Sequence, residues 1–164
     1  MIELLVFDVD GCLTDGGIMY TNSGEEIKKF NVKDGLAIAS WIRLGKKAAI
    51  ITGRESKIIE KRAKELMITH IRQGVKQKSK VLEEILKEEG LNFDNVAIIG
   101  DDLNDISMLK KVKHSFTPAN GVDYVKNIVD TVLSSKGGDG AVREMIDIVI
   151  EKEGLTEELL ALWS

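Results

Sequence analysis

Acidic residues gather where apolar runs end. The chain begins with a mostly apolar stretch that passes directly into Asp8, Asp10 and Asp15. A second run, Lys47–Ile51, is followed by Thr52, Gly53 and Arg54, and a third, Val96–Ile99, by Gly100, Asp101, Asp102 and Asp105. Lys78 stands between the last two groups at the start of a helical pattern. Carboxylates packed together at the end of a buried strand repel one another and lose hydration, so they call for a compensating cation. Asp8 and Asp101 together suit a hard divalent ion, Mg²⁺ above all, which prefers carboxylate oxygens. A hydroxyl from Thr52 and an ammonium from Lys78 would add a hydrogen-bond donor and a positive charge. Metal, donor and ammonium form a cradle for a phosphoryl group, whose transfer needs mainly alignment and charge stabilisation. One carboxylate can then act as nucleophile. A second, two residues on, can protonate the leaving oxygen and later activate water.

These groups can meet only if the apolar runs lie parallel in one sheet. The runs Leu4–Phe7, Lys47–Ile51, Val96–Ile99 and Asp130–Leu133, with weaker ones near Ile68–Ile71 and Ser115–Phe116, are continuous rather than alternating, as in strands covered on both faces. Helical periodicity separates them over Glu55–Met67, Ser79–Glu89 and Ala141–Lys152. Trp41, with Leu36, Ile38 and Ile42, marks a further helix with a core face. The expectation is an α/β fold: a parallel sheet with helices on both faces and ligands beyond the carboxyl ends of its strands. Residues 17–32 break the rhythm and read as a β-hairpin turning at Asn22-Ser23-Gly24. The tail, residues 153–164, is apolar over Leu155–Trp163, which suits either a last helix docked on its own domain or a contact with another subunit.

Composition narrows the class. The chain has 164 residues, 43% hydrophobic and 30% charged, as expected for one globular domain spanning residues 1–164. It has no apolar stretch long enough to span a membrane and no secretory leader pattern, so no membrane partner is expected. The net charge of −4 argues against nucleic acid. The single cysteine, Cys12, excludes an internal disulfide and fits a cytoplasmic location. Neighbouring carboxylates make Cys12 a poor nucleophile, and it reads as a small core residue. His70 and His114 lack metal-ligand spacing and read as structural.

The set of motifs resembles the haloacid dehalogenase superfamily of phosphohydrolases, with a Rossmann-like fold. Asp8-Val9-Asp10-Gly11-Cys12-Leu13-Thr14 is similar to its first motif, Thr52 to its second, Lys78 to its third, and Gly100-Asp101-Asp102 with Asp105 to its fourth. The resemblance implies catalytic roles for Asp8 (nucleophile), Asp10 (acid/base), Thr52 and Lys78. It implies Mg²⁺ held by Asp8, the backbone carbonyl of Asp10, and Asp101, with Asp102 and Asp105 as outer partners of the metal or of Lys78. The intervals between Asp10, Thr52 and Lys78 leave no room for a cap domain. Three further stretches, Gly24–Gly35, Ile51–Arg54 with Arg62, and Gly137–Glu144, resemble the capless family of 3-deoxy-D-manno-octulosonate (KDO) 8-phosphate phosphatases. That resemblance implies a phosphorylated sugar acid substrate and a homotetramer assembled through hairpin and tail. It leaves a phosphatase of the 2-keto-3-deoxynononate (KDN) 9-phosphate type as the alternative. Thr52, Gly53, Arg54, Arg62, Lys78 and Arg143 are the candidate substrate contacts. Arg54 and Arg62 are taken as sharing nearly one helix face, and Arg143 as a contribution from a partner subunit. A receiver-type phosphoacceptor domain also combines acids, a hydroxyl and a lysine, but it carries its acidic pair and its acceptor in the opposite order.

Overall fold

The computed structural model describes residues 1–164. Strand β1 is Leu4–Phe7; β2 (Met19–Tyr20) and β3 (Glu26–Ile27) form a small separate hairpin. Helix α1 (Val32–Arg43) leads to β4 (Lys47–Ile51), α2 (Lys57–Glu65) to β5 (His70–Arg72), and α3 (Lys78–Glu89) to β6 (Val96–Ile99). The rest comprises α4 (Ile106–Leu109), β7 (His114–Thr117), α5 (Asp123–Lys126), β8 (Thr131–Val132), α6 (Ala141–Lys152) and α7 (Thr156–Ala161).

Six strands form one sheet in the order β5-β4-β1-β6-β7-β8, every pairing parallel. Alternation across the pleat divides the core in two. Leu5, Phe7, Ala48, Ile50, Ala97 and Ile99 face α1, α2 and α6, while Leu4, Val6, Ala49, Ile51, Val96 and Ile98 face α3, α4 and α5. Every residue of β1 and β6 is buried, which explains why these strands are apolar throughout. In register, Phe7 pairs with Ile50 on one side and Ile99 on the other, so the segments that follow β1, β4 and β6 emerge side by side.

Local chemistry sets the helix starts. The Asn31 side chain accepts from the Lys33 N–H at the head of α1, and Ser56 does the same for Ile58 at α2. Gly90, in the left-handed region at φ +65°, ends α3. The expected hairpin forms with only two residues in each strand, and Ile18, Met19, Tyr20 and Ile27 are exposed. The tail docks on its own chain: Leu155 and Leu159 pack against the core, Trp163 Nε1 donates to Ser40 Oγ (3.2 Å), and the Arg43 guanidinium lies 4.7 Å from the Trp163 ring centre. Leu160 and Trp163 remain exposed. Leu36, read from periodicity with the core face of α1, is exposed as well, whereas Trp41 is fully buried.

Candidate active site

The segment after β1 leaves the strand as an irregular turn, Val9–Leu13. Asp10 is not helical there, and Gly11 sits at φ +93°, a conformation that favours glycine. A Cβ at Gly11 would stand 2.0 Å from Asp101 Oδ2, so the loops after β1 and β6 meet backbone against carboxylate.

Asp8 (5% exposed), Lys78 (1%) and Asp105 (0%) form a buried charged chain. Lys78 Nζ donates to Asp8 Oδ1 (2.8 Å) and to Asp105 Oδ1 (2.7 Å). Asp105 Oδ2 accepts from the backbone N–H groups of Asp101 (2.9 Å) and Asp102 (3.3 Å). Asp105 therefore fixes both the ammonium and the loop that bears Asp101. Asp102 instead accepts from the Leu103 N–H and lines the cleft. Burial works against the Lys78 charge, but Asp8 and Asp105 outweigh it and hold the ammonium above its ordinary pKa.

Burial, with the charge of Asp105, raises the Asp8 carboxyl to about 6, even though Lys78 opposes the shift. Burial and the charge of Asp8 raise Asp101 to about 8. Two carboxyls that resist ionising side by side match a site built to receive a divalent cation. Donor atoms of Asp8, Cys12 and Asp101 lie within 4.8 Å of one another, so Asp8 and Asp101 can share an ion. The Cys12 thiol is buried, and burial and the nearby acids push its pKa well up, which makes it unreactive.

Asp8, Asp10, Thr52, Gly53, Arg54, Asp101, Asp102 and Asn104 line an open cleft of about 170 Å³ with no hydrophobic side chain in its wall. The parallel register thus brings together groups from the first, second and fourth motifs, and Lys78 approaches from beneath Asp8.

Four contributors escaped the sequence reading. Lys28 donates to Asp10 Oδ1 (2.5 Å) and lies 3.0 Å from Glu26 Oε1. Arg54 donates to Glu26 Oε1 and to Tyr20 Oη, both at 3.3 Å. Asn104 adds an amide to the cleft wall. Lys28 and Lys29 are adjacent cations in a hairpin, and nothing local distinguishes the one that turns inward.

Two candidates are placed elsewhere. Arg54 lies in the loop ahead of Ser56, the cap of α2, so it shares no helix face with Arg62, and that reading is corrected. Arg62 turns to Phe30 (5.5 Å to the ring centre) and Glu65. Arg143 pairs with Asp147 on α6, away from the cleft of its own chain.

The capless parallel sheet and this acid–lysine–acid edge define a haloacid dehalogenase-like hydrolase, and the profile of that family matches residues 67–146. The chain is 40% identical over 157 residues to the KDO 8-phosphate phosphatase KdsC of Escherichia coli K12, covering 96% of this chain and 84% of that protein. The structure matches that of the Moraxella catarrhalis KDO 8-phosphate phosphatase in complex with magnesium, phosphate and KDO (TM-score 0.96, 36% identity, 99% of this chain and 94% of that one). It also matches the cobalt-bound enzyme of Haemophilus influenzae (TM-score 0.89, 38% identity, 93% and 90% of the two chains). The chain belongs to the KDO 8-phosphate phosphatase family.

Proposed function

We propose that the chain is a Mg²⁺-dependent phosphomonoesterase that hydrolyses KDO 8-phosphate to KDO and phosphate, a step in lipopolysaccharide precursor synthesis. The observation that carries the chemistry is the buried Lys78 bridging Asp8 and Asp105 next to Asp101. The likeness to the magnesium-, phosphate- and KDO-bound relative supports the substrate.

Asp8, Asp101 and the backbone carbonyl of Asp10 would hold the ion. When bound, it would offset the carboxylate charges and those of the incoming phosphoryl group. Lys78 donates to one oxygen of Asp8, which leaves the other to attack phosphorus as the bond to the sugar oxygen breaks. Asp10 gives its proton to the departing alkoxide. It then takes a proton from the water that attacks the aspartyl-phosphate, which releases phosphate and restores Asp8. Lys28 is shared between Asp10 and Glu26, so protonating Asp10 does not strand a buried cation. Thr52 and Arg54 supply donors at the cleft wall for the phosphate oxygens.

The homotetramer, the cytoplasmic location and contact through hairpin and tail belong to the same proposal, and the exposed apolar hairpin supports such a contact. Arg62 and Arg143 enter it as residues that meet substrate only across an assembled interface. No helix is long and apolar enough to cross a membrane. The test is phosphate release from a panel of sugar acid phosphates. Preference for KDO 8-phosphate supports the proposal, and preference for KDN 9-phosphate replaces the substrate while keeping the chemistry.

A further inference from the structure

The Gly137-Gly138 pair lies outside the cleft, yet it presses on the loop that carries Asp10. A Cβ at Gly137 would stand 1.8 Å from the Gly11 carbonyl oxygen. At Gly138, with φ +71°, a Cβ would stand 2.5 Å from the Asp15 nitrogen, and its own N–H donates to the Cys12 carbonyl (3.0 Å). Asp101 carboxylate, Gly11 backbone and Gly137 backbone are therefore stacked in three layers, each contact closer than any side chain would allow.

Asn120, in the turn after β7, closes the stack into a ring. Its Oδ1 accepts from the Gly137 N–H (3.1 Å), while the same turn returns to the fourth motif through the Val122 N–H on the Asp101 carbonyl (2.9 Å). Behind the turn, Asp34 of α1 accepts from the Arg143 N–H (2.9 Å) and holds the start of α6 in place. The glycine turn cannot retreat from the catalytic loop without breaking one of these contacts.

We propose that the Gly137-Gly138 turn, anchored by Asn120, is a positioning element that sets Asp10 relative to Asp101 through Gly11. The proposal rests on the assignment of Asp8 and Asp10 as the reacting pair. Neither Gly137 nor Asn120 lines the cleft, so the turn acts on alignment rather than on ground-state contacts. Misplacement of a reacting group by about 1 Å can cost about a hundredfold in rate, and a displacement of that kind lowers kcat while sparing KM.

The experiment measures phosphate release from KDO 8-phosphate at saturating Mg²⁺ for the full chain and for Asn120→Ala, Asn120→Asp, Gly137→Ala and Asp8→Asn. Asn120 is exposed, so its truncation leaves the core intact. Asn120→Ala should lower kcat about tenfold, with KM within about twofold and an unchanged urea midpoint. Asn120→Asp keeps the acceptor oxygen and should retain at least about half of kcat. Gly137→Ala should lose more than Asn120→Ala; the Asn120 pair decides the matter whether or not that variant folds. Wild-type kcat in Asn120→Ala, a change confined to KM, or equal losses in both Asn120 variants would overturn the proposal. Turnover by Asp8→Asn would instead overturn the assignment beneath it.

Discussion

The strand edge at Asp8 and the hairpin at Met19–Tyr20 depart from the usual distribution of polarity in opposite senses. At the edge, two carboxylates and an ammonium are buried together; at the hairpin, four large apolar side chains face solvent. Buried charge is costly unless paired, and Lys78 supplies one positive charge to a group of three nearby acids, Asp8, Asp101 and Asp105. Exposed apolar surface is tolerated when scattered, but a contiguous patch marks an interaction site. Both regions are incomplete in isolation. Under the proposed function an ion would balance the edge, and another copy of the chain would cover the hairpin.

Experiments can break that comparison at either end. Asp8→Asn should lower turnover by about 10⁴-fold or more in a phosphate-release assay, since no other group could replace the proposed nucleophile. Removal of divalent ions by EDTA should likewise stop turnover, and Mg²⁺ should restore it. Lys78→Met should cost about 3–5 kcal/mol in urea unfolding, because Asp8 and Asp105 would be left as unpaired buried charges. An unchanged midpoint would mean that the edge does not depend on the ammonium.

Asp34 gives a smaller and pH-dependent effect. Burial raises its carboxyl from 3.8 to about 6, and one of its oxygens, Oδ2, is buried without a hydrogen-bond partner. A raised carboxyl binds its proton more tightly in the folded state, so stability increases as pH falls from about 6 toward 4 and decreases as pH rises through that window. Asp34→Asn should flatten this slope and gain about 1–2 kcal/mol at pH 7 by urea titration, because it removes the buried charge but keeps an acceptor for the Arg143 N–H. The mildest change in fold stability belongs to the hairpin. Met19→Lys with Ile27→Glu should alter the unfolding free energy by less than about 0.5 kcal/mol while light scattering reports a smaller assembly. An unchanged mass would remove the hairpin from the interface.

The strands that carry the chemistry were legible to the residue: β1, β4 and β6 are continuous apolar runs ended by acids or by Thr-Gly, and their bounds match the runs. Strands at the sheet edge were less so. β5 shifts to His70–Arg72 because its polar side chains are stabilised by Glu88 and Glu89 of α3, contacts with no local signature. The short α4 and α5 escaped because a single turn carries too little periodicity. At the site, Asp8 and Asp101 could be placed from strand ends, whereas Lys78, at the head of α3, was picked out by the family resemblance. Lys28, Glu26 and Tyr20 could not, because the way the hairpin folds back over Asp10 is set by packing rather than by spacing.

The acids and Thr52 that line the cleft follow β1, β4 and β6, and β1 lies between the other two with strands further out on both sides. Backbone amides in such strands exchange with solvent only when the whole molecule opens, whereas β8 and the sheet margins can fray first. Heat inactivation should therefore coincide with global melting. The borders of the sheet should then breathe while the central strands beneath the cleft stay shut to exchange.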